Sequence, residues 1–245
     1  MPRIKVEICV SDVASALAAQ SGGADRVELC DNLAVGGTTP STGAIALAVE
    51  LLTIPVHVMI RARGGDFVVS AVDLAVMSRD IQTAKDLGAA GVVLGALLPD
   101  ENIDIHSLKH ISALARPMSV TFHKAFDQTP DPLRALDELI GLGVERVLTS
   151  GGRPRAREGA ELLAELVGRA RGRIAIMAGG GLTLEDLEPM VADAGLRELH
   201  FGSAAAVIEP SRMKTPARDG SDGSWSRVDP RKVAAIVTRL EALGQ

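Results

Sequence analysis

Eight short runs rich in β-branched residues, separated by amphipathic stretches rich in Ala and Leu, predict an α/β fold: a TIM (β/α)8 barrel, single domain, over residues 1–245. Regular alternation of strand and helix calls for a parallel sheet with right-handed crossovers. Several helical stretches end in Gly just before the next strand, as a C-cap does. No G-x-G-x-x-G follows the first strand, which counts against an open doubly wound sheet. With 245 residues, 47% of them hydrophobic, the chain suits one large barrel core.

The first predicted strand is IKVEICV from Ile4, followed by the helical DVASALAAQSGGA. DRVELC from Asp25 is the second and IPVHVMIRA from Ile54 the third, ahead of the long helical segment DLAVMSRDIQTAKDLGAA. AGVVLGALL from Ala90 and MSVTFHKAF from Met118 come next, the latter followed by the helical DPLRALDELIGLGV. ERVLTSGG from Glu145, IAIMAGGG from Ile174 and RELHFGSA from Arg197 complete the eight, with TLEDLEPMVADAGL between the last two. A polar, Gly- and Ser-rich loop at about 210–229 precedes the last helix. It follows the eighth strand and therefore belongs at the C-terminal face, either as a lid carrying Trp225 or as disordered surface.

Composition removes several function classes. The formal net charge is -5 and basic residues are interspersed with acidic ones, so no face for nucleic-acid phosphates is expected. Aromatic residues make up 2% and Tyr is absent, which removes the usual base-stacking platforms. No apolar run approaches the roughly 20 residues that span a bilayer, and the N-terminus lacks a signal-peptide pattern. Two cysteines, Cys9 and Cys30, are too few for a disulfide scaffold. The expectation is a cytoplasmic protein with reduced thiols and no membrane partner.

Period-two reading of the strands gives an unusual barrel interior. Glu7 and Cys9 face inward on the first strand; Arg26, Glu28 and Cys30 on the second; His57, Met59 and Arg61 on the third. Thr121 and His123 follow on the fifth, and His200 on the eighth. Ordinary barrel interiors are layered with Val, Ile and Leu. Buried charges left unpaired cost several kcal/mol each, so these groups are paired, hydrated or ligand-bound. One reading is a closed salt-bridge network; the other is a site at the strand C-termini. For the site, Glu7, Glu28, Arg61, His123 and Asp127 are the candidate catalytic residues. Arg61 is expected to pair with Glu28, while Asp127 begins the loop above His123 and orients it or touches substrate. Arg63, His200 and the chain ends Gly179, Gly180, Gly202 and Ser203 are candidate ligand-binding positions, because glycine amides after the last two strands often hold phosphate.

Taken in order, VEIC, GADRVELC, GGTTPS, IPVHVMIRARGGDF, VTFHKAFD, RVLTSGG, IMAGGG and ELHFGSA resemble the CutC family over roughly the first 205 residues. The resemblance implies a TIM barrel, a link to copper homeostasis, and copper at the positions of Cys9 and Cys30. The family commonly has Arg where Lys124 stands, which makes Lys124 a rim cation rather than a Schiff-base nucleophile. The residues themselves leave two readings of the cysteines: soft-metal ligands suited to copper(I), or small core residues. They also leave an alternative function, an enzyme acting on a small polar or anionic, sugar-like or phosphorylated substrate at the barrel mouth. The partner is then a copper ion or a small polar ligand, and homo-oligomerisation is expected.

Overall fold

In most of the predicted strands Val, Ile and Leu share one parity, and in the computed structural model that parity packs against the helices, Val93 of the fourth strand being an interior exception. The structure describes residues 3–212 and 222–243. Eight parallel strands close the barrel in sequence order: β1 (Lys5–Val10), β2 (Arg26–Leu29), β3 (Val56–Met59), β4 (Gly91–Leu94), β5 (Ser119–Phe122), β6 (Arg146–Thr149), β7 (Ala175–Gly179) and β8 (Glu198–Phe201). Around them run α1 (Val13–Ser21), α2 (Thr42–Leu51), α3 (Ala71–Asp86), α4 (Ile105–Ala115), α5 (Pro132–Gly141), α6 (Ala160–Ala170), α7 (Leu187–Ala192) and α8 (Pro230–Leu243). The first five helices start at Asp12, Ser41, Ser70, Asp104 and Asp131, whose side chains accept from backbone N–H groups of the first turn.

Most apolar packing lies between sheet and helices, where Ile8, Val27, Val58, Val92, Val120 and Leu199 are fully buried. Inside the barrel the apolar cluster is small: Cys30, Met59 and Val93, with Cys9 packed against them. The strands are shorter than the sequence suggests. The third ends at Met59 rather than Ala62, because the Arg61 amide leaves the ladder and donates to Thr39 Oγ1 at 3.0 Å.

The loop predicted at about 210–229 is partly regular. Its Trp225–Val228 segment forms β10, antiparallel to β9 (Ala206–Glu209), with Trp225 opposite Glu209 and the Arg212 guanidinium 5.3 Å from its ring. The Val228 amide donates to Ser15 Oγ on α1, so this ribbon is fastened to the helical layer instead of arching over the mouth as a lid. Residues 213–221 of that loop lie outside the described residues.

Below the mouth an ionic layer fills the barrel. Arg26 donates through Nε to Glu7 and through Nη2 to Glu198 Oε2 at 2.9 Å. Arg146 donates to both oxygens of Glu198 and to Thr121 Oγ1. All four charged residues are buried. Strand register explains the meeting: Glu7 lies opposite Arg26 on one side and His200 on the other.

Asp127 sits in the 3₁₀ turn Lys124–Gln128 and turns away from His123. Its carboxylate accepts from Thr149 Oγ1, Ser150 Oγ and the amides of Ser150 and Gly152, with Lys124 Nζ at 3.6 Å. The expectation that it orients His123 is therefore corrected: it ties down the loop after β6, because four donors there outcompete one imidazole.

Two measurements follow from these contacts. Glu198→Gln should destabilise the fold by about 3–5 kcal/mol in urea unfolding at pH 7, since it leaves the buried Arg146 guanidinium without a carboxylate and takes one of two from Arg26. Against the burial that would raise it, Arg146 and Arg26 hold the Glu198 carboxyl below its ordinary value. Its contribution is thus present above the unfolded carboxylate range and lost as pH falls, so the gap to wild type should narrow below about pH 4; a constant gap down to acid pH would contradict an ionic layer. Asp127→Asn should cost about 1–3 kcal/mol and speed hydrogen exchange at the Ser150 and Gly152 amides, while exchange in β1 stays slow.

Candidate functional site

The C-terminal ends of β1, β2, β3, β5, β6 and β8 surround a cavity of about 450 Å³, with the loops after β2, β3 and β5 as its upper walls. Cys9 lies opposite Glu28 in the β1–β2 register, and Cys30 follows where its amide still donates to the Val10 carbonyl at 2.9 Å. That placement brings the two sulfurs to 3.9 Å. Cys30 Sγ lies 3.5 Å from Glu28 Oε2, which is 3.8 Å from His200 Nε2. His200 Nδ1 lies 2.8 Å from Glu7 Oε1. Both thiols are free, with Cys9 half-buried and Cys30 buried.

Close contact and burial separate the ionisation of these groups. The hydrogen bond from Cys30, with help from His200 and against burial, pulls the Cys9 thiol down to about 5. The same sulfur contact, with burial, pushes the Cys30 thiol well up. Burial and the neighbouring Cys9 charge push the Glu28 carboxyl up. Burial alone would lower His200, but Glu28, Cys9 and Glu7 hold it well above the ordinary imidazole range. Glu7, despite burial, is held low by Arg26 and His200. The cluster thus pulls Cys9 and Glu7 toward their anions and His200 toward its cation, and pushes Cys30 and Glu28 toward protonation.

The donor set suits a soft or borderline metal ion. One ligand atom each from Cys9, Glu28 and Cys30 lie within 4.8 Å of one another, and so do those of Glu7, Glu28 and His200. Glu28 Oε1 is buried with no hydrogen-bond partner, which leaves an oxygen to spare in the shared residue. Met59 packs against Cys30 and closes the pocket on the β3 side.

His123 lines the cavity at the end of β5. Its Nδ1 accepts from the Ala125 amide at 3.2 Å, so the neutral ring carries its proton on Nε2. Burial, with the nearby Arg61 charge, holds the ring neutral by lowering its pKa to about 3. Nε2 is buried and has no partner.

Arg61 does not pair with Glu28, contrary to expectation. Its guanidinium donates to the carbonyls of Val35, Gly37 and Gly65 at 2.8, 3.1 and 2.6 Å and stacks 4.8 Å from the Phe67 ring. Three carbonyls converging from two loops take the Nη1 and Nη2 ends of the planar fork, leaving Nε buried without a partner, while Glu28 on the neighbouring strand lies opposite His57, four residues before Arg61. Gly37, at φ +91°, carries its loop over Cys30, where a Cβ would lie 3.3 Å from Sγ.

The remaining candidates are scattered. Arg63 is exposed and bonds to Asp66 and the Val68 carbonyl. Gly179 packs beneath Leu148 and His200, and Gly180 lies beside Lys124 Nζ and Ser150. Gly202 and Ser203 start the short 3₁₀ turn after β8, and none of these four lines the cavity. The interior parity had already placed Glu7, Glu28, Arg26, Cys9, Cys30, His123 and His200 together. It gave no sign of Arg146 and Glu198, since each opens its strand next to an apolar run, nor of Phe67 and Leu148 as cavity walls.

The model of the CutC family matches residues 4–205. A human relative named copper homeostasis protein cutC homolog is 48% identical over 209 residues, covering 85% of this chain and 76% of the relative. A CutC family protein from Xanthomonas campestris pv. campestris is 43% identical over 236 residues, 96% of this chain and 98% of its own. The crystal structure of a copper homeostasis protein CutC from Streptococcus agalactiae superposes with a TM-score of 0.78 at 37% identity, covering 82% of this chain and 98% of that one. With the family model spanning every barrel strand and relatives alike over most of their length, this chain belongs to the CutC family.

Proposed function

We propose that this protein binds Cu(I) through Cys9 and Cys30, with Glu28 as a third donor, and that it serves copper homeostasis in the cytoplasm. The observation that carries the reading is the 3.9 Å between the two sulfurs. A disulfide needs about 2.05 Å. Two metal–thiolate bonds of about 2.3 Å spanning that gap enclose an angle of roughly 120°, the angle of a three-coordinate ion. Glu28 stands where a third ligand belongs, 3.5 Å from Cys30 Sγ. Thiolates select soft Cu(I) over hard cations. A reducing compartment keeps the pair as thiols. The name of the human relative supports the same assignment.

Bound copper would be held by the chain's own groups in a fixed division of labour. Cys9 would offer the more acidic thiol, Cys30 would release its proton on binding, and His200 would stay anchored to Glu7 as a counter-charge. Because the Cys30 thiol is pushed up, Cu(I) must displace a proton, and affinity should rise from pH 6 to pH 8.

Anaerobic competition titration of Cu(I) is the test. The Cys9→Ser, Cys30→Ser double variant should bind at least a hundredfold more weakly than wild type, and Glu28→Gln about tenfold more weakly, the cost of one ligand or outer-shell partner. Equal affinity in the double variant and wild type would return the cysteines to core packing.

A further inference from the structure

The two thiols account for the floor of the mouth cavity and not for its walls. About 450 Å³ is the size of a small-metabolite pocket, far more than one coordinated ion fills. The walls also carry polar groups that nothing in the protein satisfies. His123 is 4% exposed, lines the cavity and has a buried Nε2–H donor without an acceptor. Leaving such a donor unpaired costs about 1–3 kcal/mol.

Charge on the lining points the same way. Arg61 and Lys124 face one carboxyl, Glu28. Among the described residues no carboxylate lies within ion-pair distance of Arg61, which is bonded to carbonyls alone. Lys124 is held 3.6 Å from Asp127 Oδ2 and its side chain is 41% exposed, so its ammonium keeps donors free at the rim. Met59, Phe67 and Leu148 supply the apolar flank. Arg61 clips the loops that carry Val35 and Gly65, so the walls are formed before any ligand arrives.

We propose that this cavity binds a small organic anion, its carboxylate or phosphate taken by Lys124 and His123 Nε2–H and its carbon skeleton lying against Phe67, Met59 and Leu148. The proposal rests on the cavity walls and is independent of copper at the floor.

Calorimetric titration of the reduced, metal-free, full-length protein tests it with three probes: malate, ribose 5-phosphate and neutral ribose. At least one anion should bind with a Kd below about 10 mM while ribose does not, and which anion binds decides between carboxylate and phosphate. Lys124→Met keeps the stem and removes the charge. His123→Asn keeps an acceptor for the Ala125 amide and removes the Nε2 donor. Each should weaken anion binding at least tenfold. Equal affinity for ribose, no anion binding, or unchanged affinity in Lys124→Met would overturn the proposal, and none of these results bears on Cu(I) titration. Lys124 is at the surface, so its variant remains decisive even if His123→Asn unfolds.

Discussion

The Glu7 carboxylate is the contact on which the barrel interior depends. One oxygen takes the Arg26 guanidinium from the ionic layer below and the other takes His200 Nδ1 from the mouth above. A carboxylate buried to 1% exposure is stable only with both partners in place. Glu7 thereby fixes the imidazole whose far nitrogen faces Glu28 at 3.8 Å. The layer of Glu198, Arg26 and Arg146 is thus more than ballast. It sets the charge on Glu7, Glu7 sets His200, and His200 biases the thiols.

A second hub works from above. Arg61 gathers carbonyls from the loops after β2 and β3 into one place, and these loops form the upper wall of the cavity. An ammonium in its position would lack the fork that reaches three carbonyls from two directions. The interior is therefore organised by two arginines with opposite tasks. Arg26 neutralises carboxylates at the barrel centre; Arg61 satisfies backbone and leaves its charge for the cavity.

Fold and interior were legible in the sequence for one physical reason. A barrel strand has period two, and the outward parity carries Val, Ile and Leu with few interruptions, so charged and thiol residues fall inward by elimination. Glu7, Cys9, Glu28, Cys30, His123 and His200 were found that way, and the CutC motifs agreed. Partners were not legible, because parity tells which way a side chain points and not how far it reaches. Arg61 was matched to Glu28 on parity alone, yet it leaves the ladder two residues beyond β3 and bonds to loop carbonyls. Asp127 failed for a related reason: its donors, Thr149, Ser150 and Gly152, come from another strand's loop, and no local pattern encodes that meeting. The β9–β10 ribbon hid in a polar stretch because Trp225–Val228 is exposed along most of its length and so shows no hydrophobic alternation.

The two sulfurs differ in depth and in acidity. Cys9 is half-buried and its thiol is pulled down, while Cys30 lies deeper, packed by Met59 and Val93, and its thiol is pushed up. Under the proposed reading a soft cation would bond more readily to Cys9 than to Cys30. Loss of the Cys30 proton would be the costlier step, because the neighbouring sulfur and burial hold that thiol protonated. Replacing Met59 with a polar residue would wet the deeper thiol and narrow the difference between the two sulfurs, so under the proposed reading the apolar packing around Cys30 would tune metal binding together with the sulfurs.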